Sequence, residues 1–170
     1  LSEVEPVFYT IAFEIALRET VLINCASASQ SDRVSATLIA SGAPAANIVT
    51  TVIASNDTWA RDYGPVSILV QGEPRLLNFT FNGWGGKYPA QLDNAINEQL
   101  SQRGKFGSTP CETIKLVLEG GSIDSDGAGT LLTTASCLLH PQRNARLSRH
   151  QLKTELCGLL GAKRLVWLEH

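Results

Sequence analysis

The stretch Asn56-Asp57-Thr58-Trp59-Ala60-Arg61-Asp62-Tyr63-Gly64-Pro65 holds two acids, an arginine and an indole within ten positions. A tryptophan in a loop is a large apolar body that needs cover, and carboxylates beside it lose part of their hydration. Further along, Leu118-Glu119-Gly120-Gly121-Ser122 sets a carboxylate directly after an apolar run. The two glycines behind it permit a tight turn or the close approach of a ligand. Taken singly, each stretch has a plain reading: a solvated loop with an Asp–Arg pair, and a turn that ends a strand. Taken together they suit a planar cation. A guanidinium presents its N–H donors in a fixed fork that carboxylates accept in pairs, and an indole attracts the same group through its π face. Asp62 and Glu119 are therefore the candidate guanidinium-binding acids and Trp59 the candidate wall. A structural arginine held in the core would leave the same pattern, and that alternative stays open at this point.

Other residue types carry less. Cys25, Cys111, Cys137 and Cys157 lie far apart with no CxxC pair, so neither a zinc site nor a disulfide framework is read from them. They read as small buried apolar residues of a protein in a reducing cytoplasm. Gly127-Ala128-Gly129 lacks the third glycine and following helix of a dinucleotide fingerprint, so no dinucleotide cofactor is read from it. Arg143, Arg146 and Arg149, spaced by three, read as a solvated face. A net charge of -2 gives no electrostatic footprint for nucleic acid or an anionic membrane, and no apolar run approaches the ~20 residues of a membrane span. The expected partner is a small molecule; a homo-oligomer stays open.

The elements that must position these residues can be read from periodicity and punctuation. Val4, Phe8, Ile11 and Ile15 share one helical face, and Pro6 fixes the start of that helix near itself. Val21 to Asn24 and Ile48 to Ala54 read as strands, with a helix from Ser31 to Ser41 between them. Val66 to Val70 and Arg75 to Phe79 flank a turn and predict a hairpin. The glycine-rich loop from Asn82 to Lys87 leads into a helix carrying Leu92, Ile96 and Leu100. Thr113 to Leu118 is a strand, and a second hairpin surrounds Asp126-Gly127. Ser148 and Gln151 form a capping box for a helix closed by Gly161, and Arg164 to Leu168 is a last strand.

Two of these stretches repeat as strand, acidic loop, hairpin, loop and helix. Asp62 and Glu119 stand 57 residues apart, the hairpin glycines Gly72 and Gly127 55, and the helix openers Pro89 and Ser148 59. Landmarks stepping by nearly one period indicate a repeated supersecondary unit. Such units leave apolar strand faces that neighbours must cover, and closure around an axis would point Asp62 and Glu119 toward one centre. The 170 residues contain no Met, and the chain is read as a piece of a longer one.

The motifs also resemble a family. Asp57 to Pro65, then Phe79-Thr80-Phe81-Asn82-Gly83-Trp84-Gly85-Gly86, then Leu118 to Ser122, are similar to successive signatures of the agmatine deiminases. Gly129 to Thr134, Cys137-Leu138-Leu139 and Arg143-Asn144 continue the likeness. The resemblance implies an α/β fold of the pentein type, a propeller of repeated ββαβ units of which about half is present. Its units would span roughly 1–47 in part, 48–112 and 113–170. It implies a hydrolase that converts agmatine to N-carbamoylputrescine and ammonia through a covalent cysteine thiouronium, in putrescine biosynthesis. Asp62 and Glu119 would grip the guanidinium, with Trp59 beside it. Asp57, Arg61, Trp84, Gly120 and Gly121 would support the site. The family's nucleophilic cysteine and acid–base histidine match no residue here, so the chain alone is expected to be inactive. The residues leave open free arginine or peptidylarginine as substrate, and a non-catalytic pentein scaffold.

Overall fold

The computed structural model describes residues 3–169, so readings that touch Leu1, Ser2 or His170 lie outside it. The chain folds as two compact units, the first ending at Ala54 and the second beginning at Ser55.

In the first unit, Pro6 falls in the opening turn of helix Glu5–Ala16, where its missing N–H costs nothing. Strands β1 (Val21–Cys25) and β2 (Ile48–Val52) pair in parallel, and helix Ala28–Ala40 makes the crossover such pairing requires. That helix begins three residues before the apolar pattern suggests, because Ser27 accepts the Gln30 N–H and caps it. Ala16, Val21, Leu38 and Ala43 form a small core. Beyond the strand ends, the Asn24 side chain brackets both backbone groups of Ile53 at 2.9 and 3.0 Å.

The second unit contains the same sheet twice. Strands β3 (Val66–Val70) and β4 (Glu73–Thr80) form an antiparallel hairpin, and β5 (Cys111–Val117) joins β4 in parallel after a helical crossover. The turn residues Gln71 and Gly72 both take positive φ, as tight hairpins require. Strands β6 (Ile123–Ser125), β7 (Thr130–Thr134) and β8 (Arg164–Leu168) repeat the arrangement. The strand leading to Glu119 thus completes the sheet of the preceding hairpin. The expected helix around Leu92 to Leu100 is two short ones, Gln91–Asn94 and Ile96–Gln102. At that break Asp93 and Asn94 spend their side-chain oxygens on backbone N–H groups of earlier loops.

One core serves both sheets. Leu77, Phe79 and Ile114 from the first, with Leu118 just past it, meet Leu131 and Leu165 from the second and Leu138 from the short helix after β7. Helix Arg149–Leu160 covers them with Leu152 and Leu156. Its capping box is formed as the sequence indicates, and Gly161 closes it in the left-handed region. The result is a mixed α/β fold with one two-stranded and two three-stranded sheets among the described residues. No described helix is long and apolar enough to cross a membrane.

Candidate active site

The stretch ahead of β3 is fastened from beneath. Asp93, 1% exposed, accepts the backbone N–H groups of Asn56 (2.7 Å) and Asp57 (3.2 Å) on one oxygen. Asn56 in turn accepts the Leu92 N–H at 2.9 Å. The chain then makes a single helical turn, Ala60–Tyr63, which the sequence reads only as loop. Asp62 leaves this turn and receives two donors: the Gly121 N–H at 3.0 Å and the Trp84 indole N–H at 3.0 Å.

Trp84 lies in the left-handed region at φ 59, inside a run from Gly83 to Gly86 with positive φ throughout. A bulky residue there is strained and needs its surroundings to hold it. Asn82 accepts the Gly85 N–H, and Trp84 stacks edge-on against Phe81 (5.0 Å) and Tyr88 (5.8 Å) between ring centroids. Gly83 cannot be replaced, since a Cβ would fall 2.2 Å from the Tyr88 carbonyl oxygen.

Asp57, Trp59, Asp62, Trp84 and Tyr88 line one open cleft of about 540 Å³. It therefore has two carboxylates and three aromatic rings, and among the described residues no basic one lines it. Trp59 is 59% exposed at its rim. Arg61 turns elsewhere: its guanidinium donates to the Ile123 carbonyl at 3.3 Å.

Glu119 sits on the loop that touches Asp62, but not in that cleft. Gly120 and Gly121 are pressed so close that added Cβ atoms would lie 2.3 Å from the Arg61 carbonyl oxygen and 2.3 Å from the Asp62 carboxylate. The two acid-bearing loops thus meet through glycine, but Glu119 does not line the cleft beside Asp62, where the sequence pattern led us to expect both carboxylates to converge. The Glu119 carboxylate itself is 2% exposed, and Arg143 holds both its oxygens through Nε at 2.9 and 3.0 Å, with Nη2 also at 2.9 Å. Asn144 clamps both backbone groups of Val117 at 3.0 and 2.9 Å, which fixes Arg143 in place. Among the described residues, the internal arginine left open in the sequence is therefore present for Glu119 and absent for Asp62. Arg143 is accordingly not part of a solvated face; Arg149 pairs with Glu169 and lies over Trp167.

The Cys137 thiol is 3.7 Å from Glu119 Oε2. Burial pushes its pKa up, the Glu119 charge adds to this, and Arg143 opposes it. Tyr63 is pushed up to about 12 by burial and then by the charges of Asp93 and Asp57. Among the described residues no three His, Cys, Asp or Glu side chains gather as a metal site would need.

The model of the Porphyromonas-type peptidyl-arginine deiminases matches residues 1–170. The chain belongs to that family. Among its solved relatives is a cysteine-to-serine variant of the C. jejuni agmatine deiminase with substrate bound, 33% identical, TM-score 0.86, covering 99% of this chain and 48% of that one. The agmatine deiminase of Enterococcus faecalis is 31% identical with a TM-score of 0.81, covering 98% of this chain and 45% of that one. A Selenomonas ruminantium relative, provisionally named an agmatine deiminase, is 34% identical over 174 residues, 98% of this chain and 45% of its own. The chain spans about half the length of these relatives.

In this member of the peptidyl-arginine deiminase family, sequence reasoning missed three participants. Tyr88 completes the aromatic wall, and its only signal is an aromatic just past the glycine-rich turn. Asp93 looks like an ordinary helix acid, and nothing local marks it as the anchor of a loop 36 residues upstream. Arg143 carries a signal only through the Arg143-Asn144 pair within the family resemblance.

Proposed function

We propose that the full-length protein containing this chain is an amidine hydrolase that deiminates agmatine to N-carbamoylputrescine and ammonia. The observation that carries this is Asp62: a carboxylate fixed by two N–H donors in a cleft walled by Trp59, Trp84 and Tyr88. Family membership and the likeness to agmatine deiminases point the same way.

Each carboxylate oxygen of Asp62 has accepting capacity beyond its one protein bond, so the pair can take two parallel N–H donors of a guanidinium. Trp59, half out in solvent, gains cover when a flat cation stacks on it. Held this way, the guanidinium keeps its charge local and its carbon aligned for attack. A cysteine thiolate adds to that carbon, a protonated nitrogen leaves as ammonia, and water then displaces the sulfur from the thiouronium. The net change is one water consumed, one ammonia released and a carbamoyl group left behind.

Cys137 is ill suited to be that nucleophile, because burial and Glu119 hold its proton on. We assign the cysteine and the acid–base histidine to the rest of the protein, so this chain alone is inactive. Glu119 holds Arg143 and braces the Gly120-Gly121 corner behind Asp62; direct contact with substrate would require Arg143 to swing away. Ring closure of the repeated sheets by the rest of a pentein would place that cysteine over the cleft. A cytoplasmic enzyme of putrescine biosynthesis follows from this reading.

The test is ammonia release by the full-length protein from agmatine, free arginine and an arginine peptide. Agmatine is expected to be the best substrate by kcat/KM. Preference for the peptide or for arginine, or no release from any of them, overturns the proposal.

A further inference from the structure

We propose that the break between helices Gln91–Asn94 and Ile96–Gln102 positions the guanidine site, and that its buried carboxylate, Asp93, is the residue that sets Asp62 in place. The inference rests on the deiminase reading and deepens it by naming what holds the geometry; Asp93 acts through the Asp62 stretch and not on the substrate.

Three side chains at this break reach three points of the site. Asp93 Oδ1 accepts the N–H groups of Asn56 at 2.7 Å and Asp57 at 3.2 Å, where the stretch carrying Trp59 and Asp62 begins. Asn97 Nδ2 donates to the Tyr63 carbonyl at 2.6 Å, just past Asp62, and to Asn78 Oδ1 of β4 at 2.8 Å. Asn94 Oδ1 accepts the Phe81 N–H at 2.7 Å, ahead of the turn that presents the Trp84 indole to Asp62. The stretch is thus held at both ends, and its partner turn at its entry, from one short piece of backbone. The Leu92 N–H donates back to Asn56 Oδ1 at 2.9 Å and closes the latch.

Asp93 and Asn97 are each 1% exposed, at positions where an apolar side chain would pack without a desolvation cost. Asp93 Oδ2 is buried and has no hydrogen-bond partner among the described residues, so this carboxylate is not the most stable filling for its site. What it supplies is Oδ1, which aligns two neighbouring backbone N–H groups. The stretch they open has only one helical turn of its own to hold Asp62. A small displacement of a group that aligns a reacting carbon is costly in rate.

The experiment measures kcat and KM for agmatine with the full-length wild type, Asp93→Asn, Asp93→Leu and Leu165→Ala. Asparagine keeps the Oδ1 acceptor, leucine fills the space without one, and Leu165 lies in the core on β8, apart from the latch. Asp93→Leu is expected to lower kcat/KM about 100-fold with KM raised, the effect of a misplacement of about 1 Å. Asp93→Asn is expected to stay within about fivefold of wild type. Leu165→Ala lowers only the folded fraction, so apparent kcat falls and KM is unchanged. The same pattern from Asp93→Leu would mean a merely structural role and overturns the assignment. So does an Asp93→Asn as impaired as Asp93→Leu, since the acceptor is then not what matters. If Asp93→Leu does not fold, Asn56→Ala on the exposed side of the latch is expected to raise KM about threefold, and an unchanged KM is the contradicting result. If the wild type releases no ammonia from agmatine, the deiminase reading fails and takes this inference with it. Turnover with KM unchanged in the latch variants removes Asp93 alone.

Discussion

Asp62 and Glu119 occupy the same place in two copies of one sheet, each four residues before the first strand of a hairpin, β3 at Val66 and β6 at Ile123. Their fates differ. Asp62 takes two neutral N–H donors and faces an open cleft, whereas Glu119 is sealed and shared with a guanidinium of the protein itself. The repeat decides where an acid stands, and the packing of the next segment decides whether it is available. For Asp62 that neighbour is the glycine-rich Trp84 turn, which supplies an indole N–H. For Glu119 it is the turn Pro141–Asn144, which supplies Arg143.

The comparison is broken most readily by removing each acid in turn. Glu119→Ala leaves Arg143 buried without its counter-charge and is expected to lower stability by about 3–5 kcal/mol in urea unfolding. Asp62→Ala removes two hydrogen bonds at a half-exposed site and is expected to lower it by only about 1–2 kcal/mol. Equal losses would show that the two acids are not differently engaged. A finer probe is Trp84→Phe, which keeps an aromatic ring between Phe81 and Tyr88 but deletes the donor to Asp62. A stability loss of about 1 kcal/mol is expected, together with a higher KM for agmatine in the full-length protein; an unchanged KM would detach Trp84 from the site.

The smallest effect concerns pH. Tyr63 has its pKa raised from 10.0 to about 12 in the folded state. Between those values the unfolded phenol loses its proton first, so the unfolded state binds fewer protons and stability falls as pH rises. The contribution is complete below pH 10, and Tyr63→Phe is expected to flatten the decline between pH 10 and 12 in thermal melts. A slope unchanged by the substitution would place its origin elsewhere.

Much of the scaffold was legible because its signals are local. Hairpins were marked by Gly72 and Gly127, and the helix before β8 by Ser148, Gln151 and Gly161. Short turns such as Ala60–Tyr63 were not, since four residues carry no period. The carboxylates and Trp59 were identifiable by residue type. What could not be read was partnership across long separations: Glu119 with Arg143 across 24 residues, and Asp57 with Asp93 across 36. Arg143, in a row with Arg146 and Arg149 at steps of three, looks solvated until the Asn144 clamp on Val117 turns it inward.

The most direct test is a crystal structure of the full-length protein with a guanidine ligand that it does not turn over. The guanidinium is expected on Asp62, against Trp59, with Arg143 still bound to Glu119. A guanidinium lodged on Glu119 with Arg143 displaced, or one bound away from Asp62, would contradict the account.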